Sequence, residues 1–261
     1  MNSNCKLILG DCLDVLKSVE SGSVDFVLAD LPYGTTACKW DTRIPFEPLW
    51  LELHRVCKPN AAMAMFGSEP FSSLMRMSNL KRFKYDWVWA KSNPSNVALA
   101  NKQPMKYHET ISVFYHSQCL YGKQMIPRLS PRMREHHASG YKFFKTTSEQ
   151  TSLKGMTDVD SKKYDADFKN PSSILNFASL RPNSKEKVKH ATQKPVALLE
   201  YLIKTYTLSG QTVLDPTMGS GSTGVACKNL GRKFIGIEQD EKYFDIAKRR
   251  TDACNLQAEF K

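Results

Sequence analysis

Short apolar runs alternate with segments of helical periodicity along most of the chain. The runs with the length and composition of β-strands lie near residues 6–9, 24–29, 61–66, 85–90, 110–115, 212–215 and 233–237. Apolar residues recur at helical spacing near residues 12–19, 47–57, 70–78, 195–206, 222–230 and 240–253. Because helices fall between most of the strands, the pattern predicts a doubly wound α/β fold with a seven-stranded sheet. The strands at 85–90 and 110–115 have no helix between them, so we expect them to pair antiparallel at an edge of the sheet.

A glycine-rich turn follows the strand expected at 212–215. The segment reads Asp215-Pro216-Thr217-Met218-Gly219-Ser220-Gly221-Ser222-Thr223-Gly224 and leads into a helical pattern. Backbone amides and a helix N-terminus converge at such a turn, which suits the polar end of a cofactor. Glu238 lies 19 residues after Gly219, at the end of the next strand, where a carboxylate can bond ribose hydroxyls. This spacing also fits a dinucleotide site.

Asp30-Leu31-Pro32-Tyr33 stands directly after the strand at 24–29, at the end where open α/β sheets present functional side chains. A carboxylate, a backbone carbonyl and an aromatic ring can together hold a planar base that carries an exocyclic amine. Pro32 biases the preceding residue away from helical backbone angles, and Leu31 can supply a backbone carbonyl as well as proline can. Taken alone, the four residues also fit an ordinary turn between a strand and a helix.

Two further segments carry residues that suit a cofactor. Asp11-Cys12 follows the strand at 6–9, where Asp11 fits either a cofactor contact or the N-cap of the next helix. The second segment is Thr192-Gln193-Lys194-Pro195. Its lysine is suited to pair with a carboxylate, and its proline is suited to the first turn of a helix.

Together these segments resemble the motifs of the β group of DNA amino-methyltransferases, which methylate N6 of adenine or N4 of cytosine. Asp30–Tyr33 is similar to the family's (D/N/S)PP(Y/F) tetrad, with Leu31 where proline is usual, and Asp215–Thr223 is similar to its cofactor motif I. Asp11 is similar to motif III, and Ala191–Pro195 is similar to motif X, with His190 retained and Ala191 where proline is usual. The segments follow each other in the circularly permuted order of that group. The resemblance implies a Rossmann-like class I methyltransferase sheet with a circularly permuted motif order and an inserted target-recognition region.

The resemblance also implies roles for individual residues. The implied catalytic residues are Asp30, Leu31, Pro32 and Tyr33. The implied contacts to the cofactor S-adenosylmethionine are Asp11, Cys12, Thr192, Gln193, Lys194, Asp215, Pro216, Gly219, Ser220, Gly221, Ser222, Thr223 and Glu238. Candidates for contact with the substrate base are Lys39, Trp40 and His108, although Trp40 suits core packing equally well. No metal is implied.

The positive charge of the chain is concentrated in its middle. The formal net charge is +11, and residues 117–194 hold 15 basic and 7 acidic residues, a net excess of 8 positive charges. Basic charge beside a base-handling site favours a phosphate backbone as partner, although a solvated lysine-rich face has the same composition. We therefore predict a catalytic half at 1–116, a target-recognition insert at 117–189 and a cofactor-binding half at 190–261, with double-stranded DNA as the partner.

The predicted activity is transfer of a methyl group from S-adenosylmethionine to the N6 amine of adenine in duplex DNA, by base flipping and direct transfer. Adenine is favoured because the family's N6 enzymes mostly carry Asp or Asn at the position of Asp30, whereas its permuted N4 enzymes mostly carry Ser. A cytosine-N4 enzyme, a catalytically impaired DNA-binding homologue and an RNA or glutamine methyltransferase remain alternatives. An NAD enzyme is disfavoured by Asp215-Pro216 and by the other segments.

Composition also bears on the location of the protein and on its cysteines. The 261 residues are 41% hydrophobic, with no apolar run long enough to span a membrane and no signal-peptide pattern, so we expect a cytoplasmic protein. The seven scattered cysteines form no C-x-x-C pair and indicate neither a zinc site nor a disulfide scaffold. The resemblance leaves open a homodimer and a cognate restriction endonuclease that acts separately.

Overall fold

The computed structural model of the chain describes residues 4–35, 41–127, 167–184, 186–188 and 192–258, with side chains as far as Cys254. The chain divides into two compact units, one formed by Met1–Gly122 with Ser173–Lys261 and the other by Lys123–Ser172. Lys39, Trp40 and most of the predicted insert lie outside the described residues.

The described residues form ten strands and six α-helices. The strands are β1 (Cys5–Leu9), β2 (Val24–Ala29), β3 (Cys57–Gly67), β4 (Phe83–Ala90), β5 (His108–Phe114), β6 (Ile126–Pro127), β7 (Phe168–Lys169), β8 (Ile174–Asn176), β9 (Thr212–Asp215) and β10 (Lys233–Glu238). The helices are α1 (Cys12–Leu16), α2 (Phe46–Val56), α3 (Phe71–Ser78), α4 (Val196–Tyr206), α5 (Ser222–Asn229) and α6 (Glu241–Ala258).

The larger unit is built on one mixed sheet with the strand order β1-β10-β9-β2-β3-β5-β4-β8. β5 runs antiparallel to both β3 and β4, and the other neighbours are parallel. The late strands β9 and β10 therefore lie between β1 and β2, so that the N-terminal strands complete the sheet around the glycine-rich turn. This arrangement places the ends of β2 and β9 side by side.

All seven predicted strands are present, but the prediction of the sheet edge was wrong. β4 and β5 form the expected antiparallel pair, yet a short eighth strand, β8, covers β4, with Val88 opposite Ile174. β8 has three residues, too few to produce a recognisable alternation of apolar and polar positions. Its strand conformation depends on pairing with a distant part of the chain.

Helices pack on both faces of the sheet and bury two apolar clusters. On β2, Phe26 and Leu28 belong to the cluster under α4, α5 and α6, whereas Val27 and Ala29 belong to the cluster under α1, α2 and α3. Successive side chains of a strand point to opposite faces, so a central strand covered on both sides must be apolar throughout. This requirement explains the continuous apolar run Phe26–Ala29, which ends directly before Asp30.

The smaller unit, where it is described, contains the antiparallel pair β6 and β7, in which Ile126 is opposite Lys169. It falls inside the segment predicted as an insert, residues 117–189. None of the helices in the described part of the chain is both long and apolar enough to cross a membrane.

Candidate active site

The carboxyl ends of four neighbouring strands surround one cavity of about 250 Å³. β1 and β10 are in register from Cys5 to Leu9, so Asp11 lies beside Glu238, and β9 and β2 bring Asp215 beside Asp30. The predicted residues that line the cavity are Asp11, Cys12, Asp30, Pro32, Thr192, Gln193, Lys194, Asp215, Pro216, Gly219, Ser220, Ser222, Thr223 and Glu238. Segments that are far apart in the sequence thus meet at one edge of the sheet.

Both carboxylate oxygens of Asp30 have partners. The Tyr33 hydroxyl donates to Asp30 Oδ1 at 2.8 Å, and the Lys194 ammonium donates to Oδ2. The Asp30 carbonyl accepts a hydrogen bond from Thr217 Oγ1 at 3.1 Å. The Tyr33 ring stacks on Phe71 with ring centroids 4.8 Å apart. The tetrad is therefore fixed to the glycine-rich segment and to the core.

The Leu31 side chain lies in the core and not on the cavity wall. It is 3% exposed and packs in the apolar cluster under α1, α2 and α3. An apolar side chain is thus accommodated where the family tetrad usually has proline. The backbone carbonyl, which is the part of this residue that the resemblance implies for catalysis, is common to both residue types.

Lys194 lies between two carboxylates. Besides Asp30 it contacts Glu109 Oε2 at 3.4 Å, and Glu109 Oε1 accepts a hydrogen bond from Lys91 Nζ at 3.0 Å. Burial acts to lower the pKa of Lys194, but Asp30 and Glu109 outweigh it and raise this pKa, so the lysine stays charged. Burial raises the pKa of Asp30, and the nearby Lys194 opposes this rise only in part.

Glu109 is a site residue that was not among the predicted contacts, although it stands next to the predicted His108. His108 is exposed, whereas Glu109 reaches Lys194 from β5. Burial acts to raise the pKa of Glu109, but Lys194 and Lys91 outweigh it and lower this pKa. Strand parity does not separate the two residues, because the face of His108 leads to the buried Phe114 and the face of Glu109 leads to the buried Ile111.

The glycine-rich turn is held by an acidic side chain and a basic one. Glu238 Oε2 accepts the Gly219 amide at 2.8 Å. Arg250 of α6 donates to the Ser220 carbonyl at 2.6 Å and to Ser222 Oγ at 3.0 Å. Gly221 does not line the cavity; it has a φ of +76°, and a Cβ at this position would lie 2.7 Å from Ala247 Cβ. Only glycine allows this close approach of α6.

Asp215 is the most deeply buried acid of the site, with 4% of its surface exposed. Its carboxylate accepts the Thr223 hydroxyl at 2.6 Å and the Thr217 amide at 3.1 Å. Burial nevertheless raises its pKa to about 7. The hydrogen bonds orient the carboxylate toward the cavity but do not replace its lost hydration.

Two of the predicted cofactor residues also have structural roles. Asp11 Oδ1 accepts the Leu13 amide at 2.8 Å, so Asp11 is the N-cap of α1 as well as part of the cavity wall. The Gln193 side chain donates to the Glu186 carbonyl at 2.7 Å and accepts from the Val188 amide, which ties residues 186–188 to the site. Burial raises the pKa of Cys12 to about 12, so its thiol is neutral and is not a nucleophile.

A family model described as a DNA methylase, with N6 and N4 methyltransferases as its members, matches residues 24–249 of the chain. The chain belongs to this DNA methylase family. The match covers the tetrad, the segment 192–195 and the glycine-rich turn.

Two type II methyltransferases are similar to this DNA methylase over almost its whole length. M.HpaI of Haemophilus parainfluenzae is 28% identical over 264 residues, which cover 95% of this chain and 74% of that protein. M.HinfI of Haemophilus influenzae is 25% identical over 272 residues, which cover 94% of this chain and 67% of that protein.

Solved structures of methyltransferases have the same fold as this DNA methylase. The crystal structure of M1.HpyAVI in complex with SAM matches 94% of this chain and 99% of that chain, with a TM-score of 0.60 and 25% identity. The PvuII DNA methyltransferase, which is cytosine-N4-specific, matches 97% of this chain and 92% of that chain with a TM-score of 0.63. Its identity is 15%, so this likeness shows the fold alone.

The cavity of this DNA methylase has an excess of acidic groups. The acidic residues in its wall are Asp11, Asp30, Asp215 and Glu238, and the basic ones are Arg43 and Lys194. Such a wall suits a ligand that carries more positive than negative charge. S-adenosylmethionine has a sulfonium and an ammonium group beside one carboxylate, so the residues present fit the cofactor that the sequence implies.

Several cavity residues belong to no sequence motif. They are Thr42, Arg43, Ile44, Pro45, Gln239 and Tyr243. The first four follow Asp41, whose carboxylate accepts the amides of Gly34 and Thr35 at 2.9 Å each. Asp41 thereby closes the loop that begins after the tetrad and returns the chain to the cavity. This long-range closure has no periodic signal in the sequence.

Proposed function

We propose that this DNA methylase transfers a methyl group from S-adenosylmethionine to the exocyclic N6 amine of adenine in duplex DNA. The observation that carries the proposal is the position of Asp30, a carboxylate directly after β2 that lies on the wall of the acidic cavity. The resemblance associates an acid at this position with adenine. The same position would also serve cytosine, so the base itself requires an experiment.

The glycine-rich turn and the acids around it would hold the cofactor. Asp215 would take the cationic end of its methionine portion, the turn from Gly219 its polar atoms, and Glu238 its ribose hydroxyls. Glu238 already accepts two backbone amides, one on each oxygen, but a carboxylate oxygen has two lone pairs and can accept a further hydrogen bond. Bound in this way, the cofactor supplies an electrophilic methyl group on its sulfonium.

Lys194 would contact both the cofactor and the tetrad. It lines the cavity, where the cofactor carboxylate is its expected partner, and it pairs with Asp30 and Glu109. A lysine has three N–H donors on a flexible chain, so these contacts are compatible or can be exchanged. Glu109 holds the Lys194 ammonium between the cofactor cavity and Asp30, whether the ammonium pairs with Asp30 or with the cofactor carboxylate.

The target amine is a poor nucleophile because its lone pair is delocalised into the ring. Asp30 and the Leu31 carbonyl would accept hydrogen bonds from the two N–H groups of the amine. These bonds localise the lone pair on nitrogen and direct it at the methyl group. The Tyr33 hydroxyl orients Asp30, and its ring would stack on the flipped base. Asp30 is also placed to take the proton that the amine loses, and burial, which raises its pKa, makes it a stronger base.

Mass spectrometry of nucleosides tests the proposal without knowledge of the recognition sequence. The protein is expressed in a host that lacks DNA methyltransferases, and the total DNA is digested to nucleosides. We expect N6-methyladenine, and we expect none from cells that express Asp30→Ala at the same level. N4-methylcytosine without N6-methyladenine would identify a cytosine enzyme and overturn the choice of base.

Target recognition is proposed for the basic segment 117–189. Its support is compositional, because most of the excess positive charge lies there and a phosphate backbone is the matching partner. Replacement of Lys123–Ser172, the part of this segment that forms the smaller unit, by the corresponding part of a relative should change the methylated sequence and leave cofactor affinity unchanged.

A further inference from the structure

The segment between β4 and β5, residues 91–107, leaves the sheet at the edge that carries the site. β4 and β3 both run antiparallel to β5, so β4 points the same way as β3 and β2. The segment, which we call the lysine loop, therefore begins where the strand of Asp30 also ends. It is described throughout.

Hydrogen bonds give the lysine loop a closed stem and a compact tip. The Lys91 amide donates to the Tyr107 carbonyl at 2.8 Å, and the Ser95 amide donates to the Lys106 carbonyl at 3.1 Å. The Asn96 side chain accepts the Lys106 amide at 2.6 Å. The tip contains one turn of 3-10 helix at Val97–Leu99. The backbone thus presents the tip side chains in a defined arrangement.

The stem of the lysine loop is connected to the candidate active site. Lys91 at its start pairs with Glu109, which contacts Lys194, which in turn pairs with Asp30. Lys106 at its end donates to Ser68 Oγ, directly after β3. The tip therefore stands on the same side of the molecule as the target amine in the proposed function.

The tip exposes apolar side chains among lysines. Val97 is 63% exposed and Leu99 is 41% exposed, and Met105 and Tyr107 on the stem are 43% and 44% exposed. Residues 91–107 hold three lysines and no acidic residue; Lys91 is 7% exposed and paired with Glu109, so Lys102 and Lys106 supply the positive charge of the loop surface. Exposed apolar side chains with basic and no acidic neighbours match a partner that has apolar planar faces inside a shell of phosphates.

We propose that the lysine loop contacts duplex DNA beside the target base and that Val97 and Leu99 insert between the bases as the target leaves the stack. Flipping requires unstacking, which apolar wedges compensate by filling the gap. The proposal rests on the proposed function as far as DNA methylation is concerned, and it does not depend on which base is methylated. A second copy of this chain is a poorer match, because Lys102 and Lys106 of the two copies would be brought together across a twofold interface.

The test uses the full chain and a pair of duplexes. Methylation-sensitive sequencing first identifies the methylated site, and two oligonucleotide duplexes are then made, with the target base correctly paired or mispaired. A mispaired base costs less to extrude, so a wedge matters less. For V97A/L99A we expect kcat/KM to fall about tenfold on the paired duplex and to recover most of that loss on the mispaired one.

Leu208→Ala is the matched control. Leu208 is 61% exposed and precedes β9, so it lies at the opposite edge of the sheet. It should leave kcat/KM unchanged on both duplexes. A Lys102→Ala variant should reduce the salt dependence of DNA binding, with a change of about 1 in the slope of log Kd against log salt concentration.

Three outcomes overturn the proposal. The first is an unchanged kcat/KM of V97A/L99A on the paired duplex, and the second is an equal loss of kcat/KM on the paired and mispaired duplexes. The third is a change in the oligomeric state of V97A/L99A in light scattering, which would make the tip an interface between copies. Absence of transfer by the wild-type protein on the paired duplex would overturn the proposed function and the role of the loop together, so the two failures are distinguishable.

Discussion

The Lys194 ammonium pairs with the Asp30 carboxylate, across 164 positions of the chain. The first residue belongs to the segment implied to bind the cofactor and the second to the tetrad implied to bind the target base. Lys194 is 8% exposed and Asp30 is 23% exposed, so solvent screens the pair only weakly. A change in the partner of Lys194 on the cofactor side therefore alters the electrostatic environment of the residue that would accept the amine.

Asp30→Ala should abolish methyl transfer and retain cofactor binding. The variant loses the acceptor of the amine, whereas Lys194 keeps Glu109 as a partner and the cofactor contacts around Asp215 remain. Transfer of tritiated methyl groups to DNA measures the first effect, and isothermal calorimetry measures the second. Asp14→Ala, which removes an exposed carboxylate paired with Lys17, is the control and should retain both. Residual transfer by Asp30→Ala would refute the assigned role of Asp30.

Glu109→Gln should lower the free energy of unfolding and the cofactor affinity more than His108→Gln does. The variant leaves Lys91, which is 7% exposed, without a charged partner and should lower the free energy of unfolding by about 3 kcal/mol. Weaker positioning of Lys194 should also raise KM for the cofactor. His108 is exposed, so His108→Gln should change the free energy of unfolding by less than about 0.5 kcal/mol.

Denaturant unfolding and steady-state kinetics distinguish these effects. Glu109→Asp keeps the charge on a shorter side chain and should restore part of the cofactor affinity, which a purely structural role of the side-chain volume does not predict. Equal behaviour of Glu109→Gln and His108→Gln would show that the contact with Lys194 is unimportant.

The segments that could be predicted from the sequence are those that a local pattern determines. The tetrad and the glycine-rich turn follow apolar strands directly, so a strand end and a turn are enough to place Asp30 and Asp215. Glu109 and Arg250 could not be placed in this way, because each reaches the site from a distant element through tertiary packing. The same holds for β8, whose three residues are a strand only because β4 offers an unpaired edge.

Leu31→Pro restores the usual family tetrad and should not raise turnover. The Leu31 side chain is 3% exposed in the core, so its replacement by a smaller ring should lower the free energy of unfolding by about 2 kcal/mol. The backbone carbonyl is present in both proteins, so kcat should be unchanged at a temperature where both are folded. Thermal unfolding and methyl-transfer assays provide the two measurements. A large increase in kcat would show that leucine compromises the tetrad.

Gly221→Ala should cost both stability and cofactor affinity. A Cβ at this position meets Ala247 Cα at 2.8 Å, and the φ of +76° is unfavourable for alanine. We expect the free energy of unfolding to fall by about 3 kcal/mol, since the added carbon must displace α6 or the turn. Displacement of the turn should weaken S-adenosylmethionine binding in calorimetry.

Gly210→Ala is a close control for the backbone strain alone. Gly210 has a φ of +79°, but a Cβ there meets nothing within 4 Å. We expect a loss of about 1 kcal/mol and unchanged cofactor affinity. Equal losses in the two variants would show that the contact with α6 is not the reason for glycine at position 221.

Cofactor affinity should rise with pH and level off above about pH 7, because burial raises the pKa of Asp215 to about 7 from its ordinary value of 3.8. A positively charged ligand binds the ionised carboxylate, so affinity should fall by up to about tenfold per pH unit below that pKa. Stability of the cofactor-free protein should change in the opposite direction. Between pH 4 and pH 7 the folded state holds one more proton than the unfolded state, so its stability decreases as the pH rises.

Asp215→Asn separates this carboxylate from the other acids of the cavity. Burial also raises the pKa of Asp30 and of Glu238, so the wild-type profile alone does not identify the group. The amide keeps the shape of the side chain: its oxygen can accept from the Thr217 amide and its NH2 group can donate to the Thr223 hydroxyl, but it does not ionise. Calorimetric titrations from pH 5.5 to pH 8.5, a range of about 1.5 units on either side of the pKa, should show weak and nearly constant affinity in the variant. A variant that retains the wild-type pH dependence would assign the titration to Asp30 or Glu238.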